Sequence, residues 1–353
     1  MCQSNFNDFL AALPKCEHHL HIEGSLSPTL LFQLAAANGI KLPAEDAAFQ
    51  SIETLQDRYE RFTSLDDFLN YYYIAMSALI TASDFEKLGY EYFKRANADG
   101  VHHAEIFFDP QAHTSRGVAY ATVVQGLTAA QRRAEQDFGL TSKLILCFLR
   151  HLSADQAGET YKEASALGHF SDGTVVGIGL DSSEVGNPPE IFREVYASAK
   201  AAGVRRTAHA GEEGDSTYIS RALDLCHVER IDHGIHLIDD VALMRKLAKD
   251  KTLLTVCPLS NVQLRCVTKV AELPIREFLA EGVQFSINSD DPAYFGGYIL
   301  DNYLAVQEAF SLSLAEWKGI AVAGITGSWC DEERKAVLLT KVEECVAKFA
   351  HLQ

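Results

Sequence analysis

Histidines and carboxylates recur in four short stretches, at spacings suited to holding a cation and moving protons. The first is His19-Leu20-His21-Ile22-Glu23-Gly24. Side chains alternate along an extended strand, so His19 and His21 share a face and their imidazoles can converge on one metal ion. Two ordinary buried or surface histidines would give the same spacing, so this pair alone is a modest signal. His209-Ala210-Gly211-Glu212 supplies a third imidazole, with Glu212 on the following loop, near enough to act without being a ligand. In Asp232-His233-Gly234, His233 is a side chain suited to acid–base work near neutral pH. Asn288-Ser289-Asp290-Asp291-Pro292 ends an apolar run with two adjacent carboxylates. Such a pair is costly unless matched by a partner, a proton or a cation. One of the two reads as a metal ligand; a helix cap is the alternative for one of them.

Three imidazoles and one carboxylate, with a position left for water, suit zinc or another divalent first-row ion. Zinc lowers the pKa of a bound water to ~7, so the chemistry indicated is metal-assisted hydrolysis. A two-metal site needs a bridging ligand, often a modified lysine at the end of the fourth strand. That end reads Leu180-Asp181-Ser182-Ser183-Glu184, without lysine, so one metal per chain is expected. His18 falls on the face opposite His19 and reads as structural, as do His102 and His103 at the start of the second strand.

The elements that must position these residues are strands whose ends carry them. Short β-branched or apolar runs occur at Cys16–Ile22, Val101–Phe108, Lys143–Leu149, Thr174–Leu180, Val204–Ala208, Arg230–Gly234, Thr252–Cys257 and Val283–Asn288. Stretches with helical spacing lie between them: Val118–Phe138, Pro189–Ala202, Ile219–Leu225, Asp239–Lys249 and Ile275–Glu281. About eight strands alternating with helices predict a (β/α)8 TIM-like barrel, whose active site lies at the carboxyl ends of the strands. An open doubly wound sheet would favour a glycine-rich phosphate turn after its first strand, and none is present. The predicted organisation is one barrel domain over residues 1–353, with inserted helices at about 27–100 and a helical tail at about 312–353.

The chain has 31 Lys and Arg against 48 Asp and Glu, a formal charge of −17. Such a surface repels phosphate backbones and anionic lipid, so a small molecule is expected as partner rather than nucleic acid or a membrane. No apolar run is long enough to span a bilayer. The eight cysteines form no CxxC pair and read as reduced thiols. With no recognisable secretory signal, the expected compartment is the cytoplasm, with access to the nucleus left open.

Taken together, HLHIEG at 19–24, HAGE at 209–212, DHG at 232–234 and NSDDP at 288–292 resemble the adenosine/adenine deaminase family of metal-dependent hydrolases. The motifs stand in the family's order and are specific as a set. FFDPQAH at 107–113, GLDSSEVGNPP at 179–189, CPLSNVQL at 257–264 and DDPAYFGGY at 290–298 resemble its adenine-acting branch, in the fungal form. The resemblance implies a zinc enzyme of purine salvage that hydrolyses adenine to hypoxanthine and ammonia. It implies His19, His21, His209 and Asp290 as metal ligands and Glu212 as proton donor to the ring. It implies His233 as the residue that orients or deprotonates the attacking water, and Asp291 as the carboxyl that hydrogen-bonds the purine.

Two departures from nucleoside enzymes, Glu23 for an aspartate and Ser182-Ser183 for a glycine and an acid, suggest a pocket that excludes ribose. The first rival reading is a deaminase of adenosine or of an N6-substituted adenine nucleotide, for which Arg116 and Arg265 are candidate phosphate contacts. The second is a barrel without catalysis that serves as a binding protein; the retained chemistry of all seven site positions speaks against it.

Overall fold

The computed structural model describes residues 2–352, with side chains from Phe6 onward. Eight parallel strands follow one another round the sheet in chain order: β1 (Lys15–Glu17), β2 (Val101–Phe108), β3 (Thr141–Leu149), β4 (Val175–Asp181), β5 (Arg205–Ala210), β6 (Arg230–His233), β7 (Leu253–Val256) and β8 (Phe285–Ile287). The last and first meet through a parallel bridge between Leu20 and Asp290, so the sheet comes round on itself as a (β/α)8 TIM barrel. Parallel strands need crossover connections, and the helices provide them.

Before β1 stands α1 (Cys2–Ala12). Four helices fill the long interval between β1 and β2: α2 (Pro28–Asn38), α3 (Ile52–Tyr59), α4 (Leu65–Met76) and α5 (Ala82–Ala98). The crossovers continue with α6 (Pro110–Thr114), α7 (Tyr120–Phe138), α8 (Ala154–Ala166), α9 (Arg193–Ala201), α10 (Ser216–Leu225), α11 (Val241–Asp250), α12 (Pro258–Gln263) and α13 (Ile275–Glu281). Beyond β8 come α14 (Ile299–Phe310), α15 (Leu314–Gly327) and α16 (Glu332–Lys348). Among the described residues no helix is long and apolar enough to cross a membrane. The seven cysteines with described side chains are free thiols; that of Cys2 lies outside the described side chains.

Helix α4 shows how local sequence builds the site. Ser64 caps it, its hydroxyl accepting the Asp67 N–H, and Asp66 and Asp67 sit in the first turn where the helix dipole favours acids. Leu65, Phe68, Leu69 and Tyr72 then recur at helical spacing as one apolar stripe, and that stripe forms one wall of the cavity at the barrel mouth.

The opposite end of the barrel is closed by a buried ion pair. Arg230 on β6 reaches across to Glu105 on β2 at 2.5 Å, with its guanidinium 4.1 Å from the ring centre of Trp329. His18, read as structural, is fully buried between Ser286 Oγ (3.1 Å) and Ser328 Oγ (2.7 Å).

The first strand departs from the sequence reading. The continuous run Cys16–Ile22 becomes a ladder of three residues, followed by single bridges at Leu20 and His21. The eighth is cut to Phe285–Ile287 in the same way. Both chains leave regular pairing where they carry site residues. Asp290 has φ 64° and His233 at the end of β6 has φ 61°, a backbone region sparsely used by residues other than glycine.

Candidate active site and metal centre

Six of the seven singled-out residues line one cavity at the carboxyl ends of the strands, and His19 packs against His209 and His233 beside it. His19 and His21 follow β1, His209 lies in β5, Glu212 follows it, His233 ends β6, and Asp290 and Asp291 follow β8. Each is at most 5% exposed. The cavity is small, and Leu65, Phe68, Leu69 and Tyr72 of α4 form its apolar wall.

Four donor atoms converge in it. Ligand atoms of His19, His21, His209 and Asp290 all lie within 4.8 Å of one another. Nε2 of His21 stands 3.1 Å from Nε2 of His209, and Oδ1 of Asp290 is 3.2 Å from Nε2 of His19 and 3.5 Å from Nε2 of His21. The other nitrogen of each ring is turned outward to an oxygen. His19 Nδ1 meets Thr255 Oγ1 at 2.9 Å, His21 Nδ1 meets Asp181 Oδ2 at 3.4 Å, and His209 Nδ1 meets Asp232 Oδ2 at 3.7 Å. The Thr255 hydroxyl donates to Asp232 Oδ1 at 3.0 Å, so the proton between His19 and Thr255 belongs to His19 Nδ1.

With protons on the outward nitrogens, three Nε2 lone pairs and a carboxyl oxygen point at one another with no donor among them. A divalent cation satisfies that arrangement, and an outward imidazole N–H held by a carboxylate or hydroxyl is the usual companion of metal ligation. A second grouping, His19, His233, Cys257 and Asp290, shares two of these residues. Burial, then the Asp290 charge, pushes the Cys257 thiol well above its ordinary range, so it is the poorer donor.

Beside the four-donor cluster, burial first and the Asp290 charge second push the Glu212 carboxyl well above the usual carboxylate range, which favours its protonated form. The same two causes raise Asp291. His233 is pushed down to about 3 by burial and then by His19, and so is neutral. Its Nε2 lies 3.5 Å from Glu212 Oε1 and 3.6 Å from Asp290 Oδ2, and its Nδ1 is 3.3 Å from Asn261 Nδ2.

Glu184, given no role in the sequence reading, holds the loop that carries Glu212. Its carboxyl oxygens accept the main-chain N–H groups of Gly211, Glu212, Glu213 and Gly214 at 2.8, 3.0, 2.9 and 2.9 Å. Arg150 donates to the carbonyl of His209 at 2.8 Å from the same side. Gly24 is required by packing: a Cβ there would stand 1.9 Å from Asp291 Oδ1 and 2.7 Å from Asp291 Cα.

Glu23 is not among the residues that line the cavity. It is fully buried behind the cavity, accepting from His113 Nε2 at 2.8 Å and from the Asp109 N–H at 3.2 Å. Arg116 is occupied by the carbonyls of Ser77 and Leu79 and by His113, and Arg265 donates to the carbonyl of Phe62. Neither arginine lines the cavity.

The family model for adenosine deaminase matches residues 14–345 of the chain, nearly its whole length. The chain belongs to the adenosine deaminase family. Among its relatives, an adenine deaminase of Schizosaccharomyces pombe is 58% identical over 342 residues, covering 97% of this chain and 93% of the relative. One of Saccharomyces cerevisiae is 49% identical, covering 98% and 99%. Within the same family, the crystal structure of an adenine deaminase from Arthrobacter aurescens superposes with a TM-score of 0.90 at 49% identity, covering 95% of this chain and 99% of that one. An amidohydrolase from Burkholderia ambifaria, solved with bound zinc, gives 0.88 at 29% identity, covering 99% and 95%. The chain is thus a member of a metal-dependent deaminase family that retains a candidate ligand set.

Proposed function

We propose that the chain hydrolyses adenine to hypoxanthine and ammonia, using one zinc ion held by His19, His21, His209 and Asp290. The observation that carries this reading is the meeting, in one small cavity, of the Glu212 carboxyl and the His233 imidazole, 3.5 Å apart, beside four converging donor atoms. The adenine deaminase names of relatives 49–58% identical over nearly the whole chain support the same substrate.

When bound, the cation supplies Lewis-acid charge that brings the pKa of a water to near neutral. The chain's own residues do the rest. An amino group leaves an aromatic ring poorly unless the ring is protonated. Glu212 gives its proton to N1, and acid–base help of this kind is worth ~10²–10⁴-fold. Asp291, also protonated, donates to N7 and fixes the opposite side of the six-membered ring's reacting edge. A half-turn of the Asn261 amide gives its Oδ1, which has no partner among the described side chains, the Nδ1–H of His233. That tautomer leaves His233 Nε2 free to take a proton from the water as its oxygen bonds to C6. The proton then passes to the departing nitrogen, which leaves as ammonia, while the second proton of the former water leaves the C6 oxygen as its carbonyl forms and restores the Glu212 carboxyl. The apolar stripe of α4 covers the ring and keeps bulk water out.

The test is the ultraviolet change and ammonia release on mixing purified protein with adenine and, separately, with adenosine. Turnover of adenine alone is expected. Equal kcat/KM for the two would overturn the base-specific reading, and no release from either would overturn the function. Glu212→Gln, folded and metal-loaded, is expected to lose at least ~10²-fold in kcat.

A further inference from the structure

Resting on the reading just given, the fixed order of strands round the barrel also assigns the far edge of the purine. Glu212 follows β5, His233 ends β6 and Asp291 follows β8. In adenine N1 and N7 flank C6, while N3 and N9 lie on the opposite edge. A base with N1 toward Glu212 and N7 toward Asp291 therefore turns N3 and N9 toward the arc of β2 to β4. Asp109, immediately after β2, lines the cavity on that arc.

We propose that Asp109 accepts the N9–H of the free base and is the residue that discriminates adenine from nucleosides. It is 1% exposed. Its Oδ2 takes the Tyr72 hydroxyl at 3.3 Å, while no N–H or neutral hydroxyl of the described residues reaches the buried Oδ1, and the carboxyl of Asp181 is its nearest polar neighbour. Its backbone is fixed, because the Asp109 N–H is held by Glu23, which is held in turn by His113. A buried carboxyl oxygen without a donor is costly, and a ligand N–H removes that cost. A nucleoside carries carbon at N9, so it brings no proton and leaves the oxygen unpaired. Sites built to receive a substrate N–H reject analogues that lack it by ~10⁴–10⁵.

The geometry admits one competing use. His21, Asp109 and Asp181 also group closely enough to hold a cation. That use asks His21 to ligate through both nitrogens, since its Nε2 already faces His209 and Asp290. Only an imidazolate, formed by loss of the neutral ring's one N–H proton, does so, and a purine N–H needs no such step.

The experiment compares kcat/KM for adenine and 9-methyladenine in the wild type and in Asp109→Ala, with metal content measured for both. In the wild type adenine is preferred by ~10⁴ or more. In Asp109→Ala, adenine falls by ~10-fold, as expected for one lost hydrogen bond, while 9-methyladenine rises, so that the preference for adenine collapses. Asp109→Asn keeps a carbonyl acceptor and the side-chain shape, and is expected to lie between the two. Equal losses for both substrates, as a purely structural residue would give, overturn the assignment. So does a second bound cation that the variant loses. If the wild type deaminates adenine and the variants keep its preference, this assignment alone fails. If the wild type releases no ammonia from adenine, both readings fail.

Discussion

The main chain of Asp290 is hydrogen-bonded to both His19 and His21. Its N–H donates to the His19 carbonyl, and its carbonyl accepts the His21 N–H, each at 3.0 Å. These two bonds bring the first and last strands together, so closing the barrel and assembling three of the four candidate ligands are one event. A position whose backbone is so placed does not depend on its side chain to find the site. Asp290→Ala is expected to keep the fold and lose the cation, with metal content falling well below one per chain and circular dichroism unchanged. A variant that unfolds, or one that keeps its metal, would contradict this.

Glu184 supports catalysis without touching substrate. Removing its side chain leaves four main-chain N–H groups of the 211–214 loop without their acceptor, where the loop is buried. Hydrogen bonds to a charged group contribute ~1.5–3 kcal/mol each, and losing a buried acceptor costs on that order. Glu184→Ala is expected to lower kcat by ~10²-fold through misplaced Glu212, with a smaller change in KM and a lower melting temperature. Unchanged kcat would remove the positioning role.

Gly24→Ala tests the packing against Asp291. The added methyl would overlap the carboxyl and the main chain of Asp291. Asp291 must then move away from the purine, and kcat/KM for adenine should fall by at least ~10-fold in a folded protein. Retained kcat/KM would show that Asp291 is not needed where it stands.

Lys15 makes stability depend on pH. It is 1% exposed, and burial lowers its pKa from 10.5 to about 7, against the opposing pull of Asp99. Its Nζ donates to the carbonyls of Leu10 and Leu13 at 2.6 and 3.0 Å. Between pH 7 and 10.5 the unfolded chain binds the proton that the folded chain has lost, so this group's contribution rises with pH. It is lost again as pH falls through about 7. The slope is at most ~1.4 kcal/mol per pH unit. Denaturant midpoints should rise from pH 7 to 9, and less so in Lys15→Met; an equal rise in both would contradict the assignment.

The barrel and its mouth were legible because strand ends carry chemistry in a parallel barrel. Apolar runs marked the eight strands, and the four polar motifs fell at their ends. His19 and His21 reach one space as expected, although through isolated bridges rather than a regular strand. What escaped notice has no side-chain signature. Glu184 binds main-chain N–H groups, which every residue but proline possesses. Glu23 stands in the sequence as a departure from nucleoside enzymes, and only the fold reveals its contact with His113. The apolar positions of α4 announce a helix but not the cavity its stripe covers.

Metal removal and return decide whether turnover needs the cation. Protein stripped with a chelator and dialysed should not turn over adenine. Titration with zinc should restore activity in proportion to metal bound, reaching its full value near one ion per chain. Full turnover by protein shown to hold no metal would contradict the account.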